Sequence, residues 1–119
     1  MRRLMAIAAV GEALTGLTLL VHPPLVARLL VGAEVEGAAI VMGRTAGAAL
    51  IGLGVACWPG SRALGARAGM LTYSTLVAIY LAYLGVSGQA TGVLLWPAVG
   101  LHVALSLLLT RAGVRVEPR

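Results

Sequence analysis

The sequence predicts an all-α protein: a four-transmembrane-helix bundle with a short interfacial helix between the first and second spans. Three observations carry this. Hydrophobic residues make up 60% of the 119-residue chain and charged residues 11%, against roughly a quarter charged in a soluble domain. Four apolar stretches are each long enough to cross about 30 Å of hydrocarbon at about 1.5 Å per residue. The stretches are apolar all round, rich in Ala and Leu, and do not alternate, which argues against strands. The length fits a single membrane domain over residues 1–119.

The spans run approximately over Leu4–Val21, Gly37–Trp58, Ala68–Val86 and Ala90–Thr110. His22-Pro23-Pro24 ends the first, because proline disfavours helix in the residue before it. Arg2 and Arg3 ahead of that span resemble the start of a signal peptide. Glu12 interrupts the apolar run, however, and no small-x-small cleavage site follows, so the segment is expected to be retained. Pro24 can start a new helix, since its missing N–H is not needed there. Leu25, Leu29 and Leu30 with Arg28 then form a short amphipathic turn that stops near Gly32 and lies on the membrane surface. Glu34 and Glu36 complete a polar loop. Pro59-Gly60-Ser61 ends the second span, and Gly85-Val86-Ser87-Gly88 makes a tight turn between the third and fourth. Residues 111–119 form a polar tail.

Charge placement sets orientation and narrows the partners. The net charge is +5, from nine arginines and no lysine. Arg2, Arg3, Arg62, Arg67, Arg111, Arg115 and Arg119 fall on one side of four spans, and Arg28 on the other. The positive-inside bias then puts both termini in the cytoplasm. Arginines at span ends, without interleaved aromatics, argue against nucleic acid. The expected partners are the lipid bilayer, other membrane subunits or further copies of the chain. The lone Cys57 allows no internal disulfide and reads as a buried structural thiol.

Three ionisable side chains lie well inside the spans: Glu12, Arg44 and His102. Such groups are costly in hydrocarbon and are expected to face the bundle interior. Glu12 is near the midpoint of the first span. Arg44 is about 5 Å outward of the second span's midpoint by helical rise. The two are expected to form an ion pair, either a clamp between helices or part of a polar headgroup or proton site. His102 is expected to hydrogen-bond a Tyr, Thr or Ser in the core. His22 and His102 raise bis-His haem, but their depths differ by more than about 10 Å. No His/Asp/Glu cluster has metal-ligand spacing. Tyr73, Tyr80 and Tyr83 share a face of the third span, and their hydroxyls need partners if buried. Glu12, Arg44, Tyr73, Tyr80 and His102, with Thr72 beside them, are therefore either the candidate ligand-binding set or a packed bundle core with a few internal hydrogen bonds. Trp58 and Trp96 suit the membrane interface. No nucleophile–base–acid set, phosphate loop or carboxylate pair is present, so no catalytic residue is assigned.

Gly43-x-x-x-Gly47, Ala48-x-x-x-Gly52 and Gly65-x-x-x-Gly69 allow helices to approach closely. Gly11-Glu-Ala-Leu-Thr-Gly-Leu also resembles Gly47-Ala-Ala-Leu-Ile-Gly-Leu, with Pro23 and Pro59 at the same offset of 36. This is either an inverted repeat, as in some transporters, or shared composition.

The segment His22-Pro-Pro-Leu-Val-Ala-Arg-Leu-Leu-Val-Gly32, followed by Gly43-Arg-Thr-Ala-Gly47 and Gly52-Leu-Gly54, resembles the DoxX-like superfamily of small bacterial four-helix membrane proteins. The likeness is concentrated in residues 11–59. It implies an inner-membrane bundle and, at most, an accessory subunit of a redox or quinone-linked system. It transfers no catalytic residue. The small multidrug resistance transporters share the length, the four helices and a first-helix glutamate, here Glu12. They lack the long proline-started loop and Arg44, and an ion-paired Glu12 would be a poor proton carrier. The leading expectation is a non-enzymatic accessory subunit or a lipid- or quinone-binding bundle. The alternatives are a proton-coupled small-molecule transporter centred on Glu12, a haem-binding protein through His102, and a membrane enzyme acting on a lipid or isoprenoid.

Overall fold

The computed structural model describes residues 2–60 and 63–115. These form α1 (Arg2–Val21), α2 (Pro23–Leu30), α3 (Ala38–Ala56), α4 (Ala63–Val86) and α5 (Leu95–Arg115). No strand occurs among the described residues. Four of the helices (α1, α3, α4 and α5) are long and apolar enough to cross a membrane, as the sequence predicts. The short α2 starts on two prolines, Pro23 and Pro24, which need no N–H partner at a helix start. Gly32, at φ +76°, turns the chain away after it.

The helices associate as two pairs, α1 with α3 and α4 with α5. The α1–α3 seam is built on glycine. A Cβ on Gly47 would lie 2.5 Å from the Gly16 carbonyl oxygen, and one on Gly54 would lie 2.7 Å from the Ala9 carbonyl oxygen. Only hydrogen fits in those gaps. The backbones therefore come close enough for van der Waals packing to hold helices that lipid does not drive together. Gly16 faces Gly47 and Ala9 faces Gly54, so the two helices run antiparallel in one continuous register. Of the small-residue patterns, Gly43 and Gly47 serve this packing, with Gly43 against Pro23. Gly52, Gly65 and Gly69 meet nothing within 4 Å. The suggested repeat has no counterpart in packing: Gly11 is open where Gly47 is buried, and Gly52 is open where Gly16 is buried. Shared composition accounts for it.

The α4–α5 connection differs from the expected tight turn. The chain leaves helix at Val86 and re-enters it only at Leu95, five residues later than the sequence suggested. The intervening loop is bound to α2. The backbone N–H groups of Thr91, Gly92 and Leu94 donate to the carbonyls of Val31, Leu30 and Leu29, at 2.9, 3.2 and 2.8 Å. The end of a helix leaves its last carbonyls without intrahelical partners. Here another loop supplies the donors. A Cβ on Gly92 would collide with the Leu29 carbonyl. This clasp joins α2, which follows the first pair's α1, to the second pair.

At the end of the bundle that carries the N-terminus, all four spans close on one apolar cluster. Met5, Ala8 and Ala9 of α1, Cys57 after α3, Met70 of α4 and Leu105 and Leu109 of α5 are buried together. The Cys57 thiol lies 3.4 Å from the Ala66 carbonyl, a structural position. Arg67 reaches across from α4 to donate to the Leu109 carbonyl at 3.1 Å. Trp58 and Trp96 are more than half exposed, consistent with interfacial positions.

Candidate functional site

Between the closed end and α2 the two helix pairs stand apart, and a cavity of about 840 Å³ lies between them. Its volume falls in the upper part of the range of roughly 300–1,000 Å³ typical of small-molecule sites. On α1 it runs from Ile7 to Leu19, about 18 Å by helical rise. Val26, Leu29 and Leu30 of α2 form its roof. The apolar side of α2 thus faces a ligand-sized space, while Leu25 and Arg28 point outward. The walls do not seal laterally. Ile7, Gly11 and Thr15 of α1, and Ala46 and Ala49 of α3, line the cavity and are also exposed. In a bilayer those flanks meet lipid.

The polarity of the cavity is concentrated at one level. Glu12 and His102 are both more than nine-tenths buried and both line it, with Tyr73 between them. The Tyr73 side chain lies beside the Glu12 carboxyl group. The rings of Tyr73 and His102 meet edge to face, with centroids 5.7 Å apart and an interplanar angle of 79°. His102 Nδ1 has no hydrogen-bond partner among the described residues. This corrects the expectation of a hydroxyl partner for the imidazole. The nearby hydroxyls are engaged elsewhere: Thr75 donates to Ser106 at 3.2 Å, and Ser106 donates to the His102 backbone carbonyl at 2.8 Å. Thr15 and Thr18 also line the cavity but bond back to their own helix, to the Gly11 and Leu14 carbonyls, each at 2.9 Å.

The structure thus brings together three of the five predicted residues, Glu12, Tyr73 and His102. It leaves out Arg44 and Tyr80. The expected Glu12–Arg44 ion pair does not form. The reason is register. With Gly16 against Gly47 and Gly54 against Ala9, Glu12 is level with Ile51, and Arg44 is level with Leu19. That is a separation of about 10 Å along the helix axes. Arg44 is exposed, and the one ion pair among the described residues is Arg28–Glu34, at 3.5 Å on the surface. Tyr80 and Tyr83 are 61% and 59% exposed. They sit near the α2 end of α4, where tyrosine suits a membrane interface. Thr72 is exposed too. His22 is exposed at the α1–α2 junction and does not line the cavity, so the two histidines do not face one another across it. No group of three or more His, Cys, Asp or Glu residues that could hold a metal ion occurs among the described residues.

Sequence reasoning missed the roof. The sequence points to Leu25, Leu29 and Leu30 as an apolar face lying on the membrane surface, whereas Val26, Leu29 and Leu30 line the cavity and Leu25 is exposed. Comparison with protein-family models, curated proteins and solved structures returns no match for this chain.

Proposed function

We propose that this protein is a non-enzymatic bundle of a bacterial inner membrane that takes up a lipophilic molecule from the bilayer into its central cavity. The observation that carries this reading is the cavity itself: aliphatic walls, a single polar level at Glu12, Tyr73 and His102, and flanks open toward lipid. Pockets with apolar walls and a few convergent polar groups are the usual form of a small-molecule site. Water-side entry is disfavoured at both ends. One is packed by the Met5, Met70 and Leu109 cluster, and the other is covered by α2 and its clasp. A quinone or another membrane lipid would suit such a space, in keeping with the DoxX-like resemblance and a role as an accessory subunit. The arginine distribution supports cytoplasmic termini, which puts α2 on the outer face.

The test is purification in mild detergent followed by solvent extraction and mass spectrometry. Wild type is expected to carry one lipophile near stoichiometry. Ala49→Trp, which fills the cavity from an exposed wall position, is expected to lack it. Equal lipid content in both proteins would overturn the reading.

A second reading has a specific observation in its favour. Glu12 has no cationic partner among the described residues and borders an open space, which removes the objection to a proton-coupled transporter centred on it. Proton-driven uptake into proteoliposomes that is lost in Glu12→Gln would favour transport over storage or presentation.

A further inference from the structure

Resting on that reading, we infer that the ligand is an uncharged lipophile with a hydroxyl or carbonyl head, seated with the head at the Glu12–Tyr73–His102 level and the chain toward α2. The inference comes from the charges that face the cavity. Among the described residues, Glu12 is the one acidic residue lining it, His102 the one histidine, and no arginine lines it. Arg44, the one arginine well inside a span, lies on the exposed surface. The other described arginines sit at the helix ends or on α2.

An anionic head would enter a low-dielectric space with no cation to pair with, beside a carboxyl group. Burying a charge without a partner is strongly unfavourable. Phospholipids and fatty acids are thereby disfavoured in the head position. A cationic head has one carboxyl group to meet. Taking that head and the carboxyl group out of water together is offset by their attraction only where geometry is good and further hydrogen bonds satisfy both. What the level offers is donors and acceptors in balance. A neutral imidazole is a donor at one nitrogen and an acceptor at the other, and a phenol can be either. A hydroxyl or carbonyl matches that mixture without bringing a charge. The unpartnered His102 Nδ1 is closed off from the cavity surface, so the groups left to meet a head there are Glu12, Tyr73 and the rest of the imidazole.

The tail has its own fit. Above the polar level the walls are mainly aliphatic, with Leu19 of α1, Val77 and Leu81 of α4, and Leu29 and Leu30 of α2, and the Thr15 and Thr18 hydroxyls there are bonded to their own helix. A flexible apolar chain covers such surface without leaving a polar atom unpaired. Gly11, Ala46 and Ala49 on the open flanks leave room for a chain to slide in sideways.

The experiment uses three probes with the same tail and different heads: geranylgeraniol, geranylgeranyl phosphate and geranylgeranylamine. Each is loaded separately onto the full chain in nanodiscs, and retention is read by native mass spectrometry. Ala49→Trp serves as the cavity control. Geranylgeraniol is expected to be retained at least ten-fold over either charged probe, and Ala49→Trp is expected to lose it. Both His102→Leu and the milder His102→Gln are expected to weaken its retention, Gln less than Leu because it restores a donor and an acceptor. If the phosphate or the amine is retained as well as the alcohol, and Ala49→Trp abolishes that retention, the cavity binds lipophiles but the head-group inference is wrong. If no probe is retained by wild type above Ala49→Trp, both the inference and the proposed function are wrong.

Discussion

The seam between α1 and α3 and the gap between the two helix pairs both carry small residues, yet at one the backbones touch and the other holds a cavity. The difference lies in where the glycines fall. At the seam, Gly16, Gly47 and Gly54 present bare backbone to a neighbouring helix. In the gap, Gly11 and the alanines 46 and 49 present small side chains to open space. Lipid tails are as apolar as leucine, so nothing like the hydrophobic effect in water forces the second interface to close. Smallness brings helices together only where it recurs on both partners in register. Elsewhere it leaves a space, and whether that space fills with ligand or lipid depends on its polar content.

The sharpest way to break this comparison is to put the same side chain on both kinds of glycine. Gly47→Leu would drive a side chain into the α1 backbone and is expected to cost about 3 kcal/mol or more, read as early loss of structure in detergent unfolding followed by circular dichroism. Gly52→Leu, five residues along the same helix, points into open space. It is expected to change stability by no more than about 1 kcal/mol, in the favourable direction, because leucine is the better helix former. Similar losses for both would mean that register does not explain the seam.

Next in size is the clasp that spans the gap. Gly92→Ala must displace the Leu29 carbonyl and is expected to cost about 2 kcal/mol. The amide protons of Thr91, Gly92 and Leu94 should exchange faster in that variant, while those of the α1–α3 seam stay protected. Uniform acceleration would show instead that the whole bundle had loosened.

Inside the gap, a double-mutant cycle separates the polar partners. Glu12→Gln with Tyr73→Phe is expected to show a coupling of about 1 kcal/mol. Glu12→Gln with Arg44→Ala is expected to be additive within about 0.5 kcal/mol, since the two lie about 10 Å apart in register. A coupling of the second pair as large as the first would restore the ion pair. The smallest effect belongs to the surface. Arg28→Ala removes an exposed ion pair with Glu34 and is expected to cost about 0.5 kcal/mol or less.

Much of the fold was legible because a membrane span is a local property. Residues 2–21 and 38–56 announce themselves by length, apolarity and the prolines that follow them. The α4–α5 loop was not legible, because Thr91, Gly92 and Leu94 give their N–H groups to carbonyls at the end of α2, about 60 residues earlier in the chain. No local pattern records that bond. The site was legible in part. Glu12 and His102 stand out because ionisable residues are rare in hydrocarbon, and Tyr73 because a buried phenol needs a partner. Arg44 stood out for the same reason as Glu12 and was assigned to the interior by the same rule, but the structure puts it on the exposed surface. Tyr73 and Tyr80 are seven residues apart, yet only Tyr73 is inside, because the face of α4 that lines the cavity runs through Tyr73, Val77 and Leu81 and leaves Tyr80 beside it.

By itself, then, the sequence determined what each segment is: four apolar helices, a proline-started fifth, and the few polar side chains that a bilayer would penalise. Those follow from the composition of twenty or so consecutive residues and the energetics of hydrocarbon. Only the tertiary structure decided which polar groups meet. That depends on helix register, and the register is fixed by glycine contacts between Gly16 and Gly47 and between Ala9 and Gly54. A slide of about 10 Å is the difference between a stapled Glu12 and one that faces an open cavity.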